Sequence, residues 1–243
     1  MLFVKLSPVR LILLTCAGCC AWAAGPRNAG VAGPVAIATN ADTSYCFARV
    51  RGLDPGRQPQ SFLVLKLRVR VSYQNEGNRP LILPLERERI IYTSLKPGPM
   101  SVFHEPAGMG LGLFDSSFKI MKELPADVSP DSPVSPANDV FAVVPARGEM
   151  NPPLLDEITL PVDRTGLFRH YPDLRGQTVH IKLRFVHREL TGALTAKLSD
   201  QWSRFGVPWT GTLITNTFTV NVPEHPQGVA CNDSKPEKNS KNN

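Results

Sequence analysis

Two histidines in this sequence, each close to an acidic residue, are the residues that we consider best suited to chemistry. His104 precedes Glu105, and His170 lies three residues before Asp173. An imidazole near a carboxylate suits general acid–base catalysis, and both groups also bind metal ions. The two pairs are far apart in the chain, so they form one site only if the fold brings them together. His104, Glu105, His170 and Asp173 are therefore the active-site candidates of an alternative hypothesis, a hydrolase or metal-dependent enzyme with loop-borne active residues.

The familiar catalytic and cofactor motifs are absent from the sequence. It contains no Gly-x-Ser-x-Gly elbow, no phosphate-binding Gly-x-x-x-x-Gly-Lys loop and no Gly-x-Gly-x-x-Gly after a strand. The glycine-rich residues 108–112 are interpreted as a flexible loop. His180 and His187 would face opposite sides of one strand, and Asp127 and Asp131 do not match a calcium-binding loop. We therefore expect no cofactor and no metal.

Basic residues recur at alternate positions in two segments. Lys66, Arg68 and Arg70 occupy one segment, and Lys182 and Arg184 occupy the other. If both segments are neighbouring strands, the five side chains form one basic face that attracts an anionic glycan, another envelope component or an acidic protein. Alternating cations are also ordinary on a solvent-facing strand, which leaves a purely structural interpretation open.

Apolar and polar residues alternate in the segments that would position these side chains. The pattern holds over residues 63–73 and 178–186, and period two is typical of strands with one buried face. Residues 74–80 contain Asn, Gly and Pro and predict a turn. Two final strands are expected at residues 209–214 and 218–222, joined through 215–217. Residues 158–162 are predicted to form an edge strand, because Pro161 cannot donate a hydrogen bond to a second neighbouring strand.

These segments predict an all-β domain over residues 45–223. The 23 prolines among 243 residues disfavour long helices, because each proline removes a backbone donor. Short helices are expected at 116–124 and 190–204, and the proline-rich residues 124–136 are expected to form an exposed loop. Trp202 and Trp209 are expected to pack in the core rather than to stack on sugars. Residues 24–44 are predicted to be a flexible tether and residues 224–243 a disordered polar tail.

The first 23 residues have the character of a secretory signal peptide. Lys5 and Arg10 precede a short apolar run, and residues 21–23, Ala-Trp-Ala, offer a cleavage site. Ala17-Gly18-Cys19 also resembles the end of a bacterial lipobox, in which the cysteine is lipidated. Cys16 stands where that motif has Leu, Val or Ile. Simple secretion and lipidation at Cys19 both remain open.

Removal of the leader after Ala23 leaves two cysteines, Cys46 and Cys231. An even pair in an exported chain predicts a disulfide, which here would join the two ends of the folded region. Two free thiols are the alternative. The expected location is periplasmic, extracellular or anchored to the outer membrane.

Several short motifs carry a family resemblance. They include Val69-x-Val71, Asn75-x-Gly77-x-x-Pro80-Leu81, the strand 180–185, Trp209-Thr210-Gly211-Thr212 and Thr215-Asn216-Thr217-Phe218. Over residues 62–222 the chain resembles uncharacterised secreted bacterial proteins with an immunoglobulin-like β-sandwich. The resemblance implies an antiparallel sandwich in which these turns are framework features, here carrying an extended proline-rich insertion between residues 95 and 140. Such a fold implies no particular reaction.

The sequence is best interpreted as a non-catalytic binding or accessory protein of the cell envelope. A net charge of +6 is modest for 243 residues and does not suggest a nucleic-acid partner. Contact with a membrane is expected only through a lipid anchor at Cys19.

Overall fold

The computed structural model describes residues 32–50, 60–103, 120–134, 140–152, 155–164, 168 and 170–231. The signal peptide, Cys19, His104, Glu105 and the glycine-rich residues 108–112 lie outside this part of the chain. The elements in chain order are β1 (Val35–Val50), β2 (Gln60–Asn75), β3 (Leu81–Pro84), β4 (Arg87–Ser94), β5 (Ser101–Phe103), β6 (Ile120–Met121), β7 (Phe141–Val144), β8 (Gly148–Met150), β9 (Asp156–Pro161), β10 (Thr178–His187), β11 (Glu189–Leu190), α1 (Gly192–Gln201), β12 (Val207–Pro208), β13 (Thr212–Ile214), β14 (Phe218–Asn221) and β15 (Val229–Ala230).

The first large sheet, sheet I, is built around the long antiparallel pair β1 and β2. Its order is β15-β1-β2-β8, and β9 also pairs with β2. The inward row predicted for β2 is confirmed, because its residues are all buried; in the outward row Arg68 and Arg70 are exposed as expected, whereas Val64 and Ser72 are buried. β9 pairs only with β2 among the described strands, as its proline predicted. The inward residues of β2 are Leu63, Leu65, Leu67, Val69, Val71 and Tyr73.

The second large sheet, sheet II, has β10 at its centre. β4 lies on one side of β10, followed by β5, and β13 and β14 lie on the other side. The alternation predicted for β10 is confirmed: Val179, Ile181, Leu183 and Phe185 are buried and the residues between them are only partly buried. The inward residues of both sheets belong to one hydrophobic core. The described part of the chain is therefore all-β apart from one short helix.

The last two strands differ from the expected pair. β13 and β14 do not pair with each other; each runs antiparallel to β10, one beyond the other along the same side. At the break between them Leu183 N donates to Thr215 Oγ1, so a side chain replaces a backbone acceptor. The interruption redirects Asn216 towards sheet I, where it bonds Ala38.

The disulfide between Cys46 and Cys231 is confirmed, with the two Cα atoms 4.9 Å apart. It corrects both predicted boundaries. Residues 35–44 belong to β1 rather than to a tether, because they pair with β2 on both sides of a register shift at Ala41. Residues 229–230, placed in the disordered tail, form β15 and pair in parallel with β1 next to the disulfide. Cys46 also packs into a small separate core on the outer face of sheet I, with Phe62, Val64 and Phe168.

The described residues 122–134 of the proline-rich insertion are mostly exposed or partly buried, as expected of a loop, but Leu124 and Val128 pack against the core beside α1. Trp202, at the end of α1, is fully buried, and its Nε1 donates to Pro130 O at 3.0 Å. β3 pairs with β7 and β12 in a three-stranded sheet, so that Ile82 faces a second core with Trp202 while its neighbours face the main core. The helix expected within 190–204 is confirmed as α1, whose N-cap is Thr191. The described part of the helix expected at 116–124 contains β6 and a bend instead.

No helix in the described part of the chain is long and apolar enough to cross a membrane.

Candidate functional site

The four active-site candidates are only partly visible in the described chain, which includes His170 and Asp173 but not the other pair. The imidazole of His170 is exposed. The carboxylate of Asp173 is already engaged, because Arg175 Nε donates to Asp173 Oδ1 at 2.9 Å and Arg175 Nη2 contacts Oδ2. The hydrogen bonds from Arg175 lower the pKa of Asp173. Asp173 is thus paired with a guanidinium rather than poised to act as a base for His170.

The described residues contain no group of three or more His, Cys, Asp or Glu side chains that would hold a metal ion. His187 is fully buried, whereas His180 is partly exposed on the other face of β10. The prediction that these two histidines face opposite sides is therefore confirmed.

The five basic residues do not form one face. Lys66, Arg68 and Arg70 lie on β2 of sheet I, and Lys182 and Arg184 lie on β10 of sheet II. Because the inward residues of both strands share one core, the outward rows face away from each other. The expectation of a continuous patch is corrected, since it required β2 and β10 to be neighbours and their similar alternation did not determine their sheets.

The basic row on β2 has acidic neighbours. Arg68 is opposite Asp42 on β1 and opposite Glu157 on β9. Opposite charges on facing strands partly neutralise one another. This arrangement is typical of a solvated sheet face.

Both tryptophans with a proposed alternative role in sugar stacking are core residues, as expected. Trp202 fills the second core, and Trp209 is only 9% exposed. The indole of Trp209 is covered by two glycines: a Cβ built on Gly33 would lie 2.5 Å from its Cζ2, and one on Gly211 would lie 2.9 Å from the same atom. Glycine is needed at both positions so that the backbone can approach the ring.

A cavity of about 500 Å³ opens where the end of β4, β5, the end of β9 and residues 170–174 meet. This volume lies within the range of small-molecule sites in proteins. The cavity is mainly apolar and includes His170 among its lining residues. The described residues that line it are Thr93, Ser94, Leu95, Ser101, Val102, Phe103, Leu160, Pro161, His170, Tyr171, Pro172, Leu174 and Val179.

The cavity has one polar wall. Thr93 of β4 and Ser101 of β5 are directly opposite each other in the antiparallel register. They share a face with Ile91 and Phe103, which are Cα partners in the same ladder and belong to the core. Since opposed side chains have Cβ atoms about 5 Å apart, the two hydroxyl groups lie side by side.

Apolar side chains line the rest of the cavity: Val179 lies on the same face of sheet II as Thr93, and Leu160 comes from β9 of sheet I. Leu160, Leu174 and Val179 are all at most 5% exposed and belong to the main core. An aromatic pair closes one end, where the ring centroids of Phe103 and Tyr171 are 5.4 Å apart. Burial raises the pKa of Tyr171, so this phenol stays neutral near neutral pH.

No protein-family model, curated protein or solved structure matches this chain. The chemistry of the cavity is therefore the best guide to function.

A second cluster of polar residues lies between the sheets, away from the cavity lining. Arg87 Nη2 of β4 donates to Asp156 Oδ2 of β9 at 2.7 Å, and Arg89 Nη1 approaches Oδ1 at 3.5 Å. Nearby, burial lowers the pKa of His187 to about 4 and raises that of Tyr73 to about 12. These contacts join sheet I to sheet II, and their burial assigns them a structural role.

Sequence reasoning found His170 but missed the cavity. The available signal was weak: Thr93, Ser94 and Ser101 are small hydroxyl residues at the ends of short strands. Their relation to Leu160 and Leu174 depends on the packing of two sheets, which no local pattern encodes.

Proposed function

We propose that this protein is an exported, non-catalytic binding protein of the cell envelope and that its ligand site is the cavity beside His170. The observation that carries the proposal is the cavity itself, which combines apolar side chains continuous with the core and a neighbouring pair of hydroxyl groups. A largely apolar pocket with a few convergent polar groups is the usual form of a small-molecule site.

The chemistry of the lining supports binding rather than catalysis. The described lining contains no Asp, Glu, Lys or Cys side chain, and the carboxylate of nearby Asp173 is held by Arg175.

Export is supported by the leader-like residues 1–23 and by the Cys46–Cys231 disulfide, since disulfides persist mainly in oxidising compartments. Mass spectrometry of the mature N-terminus distinguishes the two processing routes. Simple secretion yields a chain that begins near Ala24, whereas lipidation yields one that begins at a modified Cys19 and whose maturation is blocked by globomycin.

The architecture is proposed to be an immunoglobulin-like sandwich. Two mainly antiparallel sheets with one shared core support this assignment, as do the framework roles of Asn75, Trp209, Gly211 and Asn216. The strand order is the feature to compare once an experimental structure is determined.

Binding of the apolar fluorophore N-phenyl-1-naphthylamine tests the cavity. The mature protein should enhance its fluorescence saturably, and Ser101→Trp should abolish the enhancement because the indole occupies the mouth of the cavity. Thr212→Trp is the matched control, since Thr212 is exposed on β13 and does not line the cavity. Equal thermal unfolding midpoints show that both variants are folded. The proposal is wrong if the folded protein gives no enhancement, or if Ser101→Trp binds the probe as wild type does.

A further inference from the structure

We propose that the cavity selects a neutral amphiphile: an apolar chain or ring occupies the cavity, and an uncharged ester or hydroxyl group lies against Thr93 and Ser101. This inference rests on the proposed function and names the ligand class of that site.

The described lining offers no permanently charged partner to a charged ligand group. None of the described lining residues is an acid, a lysine or an arginine. Asp173 lies between lining residues Pro172 and Leu174, but its carboxylate is paired with Arg175. An ion entering the cavity would lose hydration without gaining a permanent countercharge, and such a transfer is costly.

The apolar wall favours a hydrocarbon group. Leu160, Leu174 and Val179 present core side chains, and Phe103 and Tyr171 add aromatic surface at one end. Each methylene that moves from water onto such a surface contributes favourably to binding. A free sugar suits this wall poorly, because most of its hydroxyl groups would lose their hydrogen bonds to water.

The hydroxyl wall specifies a single polar group on the ligand. Thr93 and Ser101 are adjacent across β4 and β5, and within the described structure their hydroxyl groups make no hydrogen bond to the protein. Ser94 differs, because its Oγ donates to Lys96 O and accepts from Lys96 N. Thr93 and Ser101 therefore remain available to donate to a ligand carbonyl or to accept from a ligand hydroxyl.

Three probes with related chemistry test the ligand class by displacement of N-phenyl-1-naphthylamine. Monododecanoylglycerol supplies a twelve-carbon chain with a neutral ester, dodecanoate at pH 8 supplies an ionised chain of the same length, and maltose supplies neutral hydroxyl groups without a chain. We expect monododecanoylglycerol to bind at least roughly tenfold more tightly than dodecanoate. We expect maltose not to displace the probe.

Removal of the hydroxyl groups tests the polar wall. The double variant Thr93→Val/Ser101→Ala keeps the shape of the cavity and should weaken monododecanoylglycerol binding roughly five- to thirtyfold. Its affinity for N-phenyl-1-naphthylamine, which needs no such hydroxyl group, should fall by less. Thr219→Val is the matched control, because Thr219 is exposed on β14 and outside the lining.

Failure of the ligand class is distinguishable from failure of the proposed function. If the fluorophore binds in the cavity but dodecanoate or maltose competes as well as monododecanoylglycerol, the neutral-amphiphile assignment is wrong and the binding site stands. The same holds if the double variant binds the neutral ester as tightly as wild type. If the folded protein binds neither the fluorophore nor any of the three probes, both proposals are wrong.

Discussion

The side chain of Asn216 hydrogen-bonds to both backbone polar groups of Ala38, 178 residues away in the chain. Its Oδ1 accepts from Ala38 N at 2.8 Å, and its Nδ2 donates to Ala38 O at 3.1 Å. Ala38 lies in β1 of sheet I, and Asn216 follows β13 of sheet II. The amide of Asn216, which comes from sheet II, thus satisfies the backbone groups of Ala38 at the edge of sheet I. The break between β13 and β14 at residues 215–217 allows Asn216 to reach this position.

Asn216→Ala should lower the free energy of unfolding by about 1–3 kcal/mol, because two hydrogen bonds between the sheets are lost. Asn221→Ala is the matched control: the side chain of Asn221 makes one exposed hydrogen bond, to Thr178 Oγ1. The Asn221→Ala substitution should lower the free energy of unfolding by less than about 0.5 kcal/mol. Urea unfolding of both variants provides the measurement, and equal losses would contradict the bridging role of Asn216.

The sequence predicted the strands well because burial on one face imposes a local period. The inward residues of β2 and β10 were identified correctly, and so was the turn in which Asn75 Oδ1 accepts from Gly77 N. The same local pattern does not determine which strands are neighbours. From the pattern alone, Lys66 and Lys182 are predicted to share one sheet face, but their strands belong to different sheets.

Other features depend on contacts that are distant in the sequence. The prolines of residues 124–136 predict an exposed loop, and the described part is mostly exposed; its contact with Trp202, whose Nε1 donates to Pro130 O, depends on the distant helix α1. Residues 35–44 lack strong strand-forming patterns and form β1 because they pair with β2 on both sides of a register shift at Ala41. The cavity likewise arises where several elements meet, so Thr93 and Ser101 carried no recognisable motif.

Replacement of both Cys46 and Cys231 by alanine should lower the free energy of unfolding by about 2–4 kcal/mol, since the crosslink restricts the unfolded chain. The loss should include detachment of β15, whose only described strand partner is β1 beside the disulfide. Reduced wild-type protein should match the variant in urea unfolding. If the unreduced, denatured protein without residues 1–23 contains two free thiols, Cys46 and Cys231 are not joined in a disulfide.

Gly206→Ala should destabilise the protein by at least about 2 kcal/mol. Gly206 has φ +155°, and a Cβ at this position would lie 2.7 Å from Pro80 O, a backbone atom that side-chain motion cannot displace. Gly192→Ala is the matched control, because no atom lies within 4 Å of its built Cβ and it begins α1. The free energy of unfolding of the Gly192→Ala variant should be unchanged or higher by up to about 1 kcal/mol, since alanine favours a helix. Thermal or urea unfolding of both proteins makes the comparison, and two equally stable variants would contradict the predicted close approach.

Stability should fall as the pH decreases from about 6.5 to about 4 because of His187. This side chain is fully buried, and its Nδ1 donates to Pro84 O at 2.8 Å. Burial is the main cause that lowers its pKa from 6.5 to about 4 in the folded protein; the nearby charge of Arg87 adds to the shift and the hydrogen bond to Pro84 opposes it. Between these pH values the unfolded chain binds a proton that the folded chain does not, so protonation favours unfolding. Above pH 6.5 neither state is protonated at this residue, and the penalty is absent.

The effect of His187 should approach about 3 kcal/mol at pH 4, since each unit of pKa difference corresponds to about 1.4 kcal/mol. His187→Gln should reduce the dependence of urea-unfolding free energy on pH over this interval, even if the variant is less stable at pH 7. His180→Gln replaces the partly exposed histidine on the other face of the same strand and should keep the wild-type slope. If His187→Gln keeps that slope and His180→Gln loses it, the acid sensitivity originates on the outer face of sheet II. An NMR titration of the His187 imidazole separates this result from a general effect of acid, because its ring should remain neutral at pH 5.5 in the folded protein.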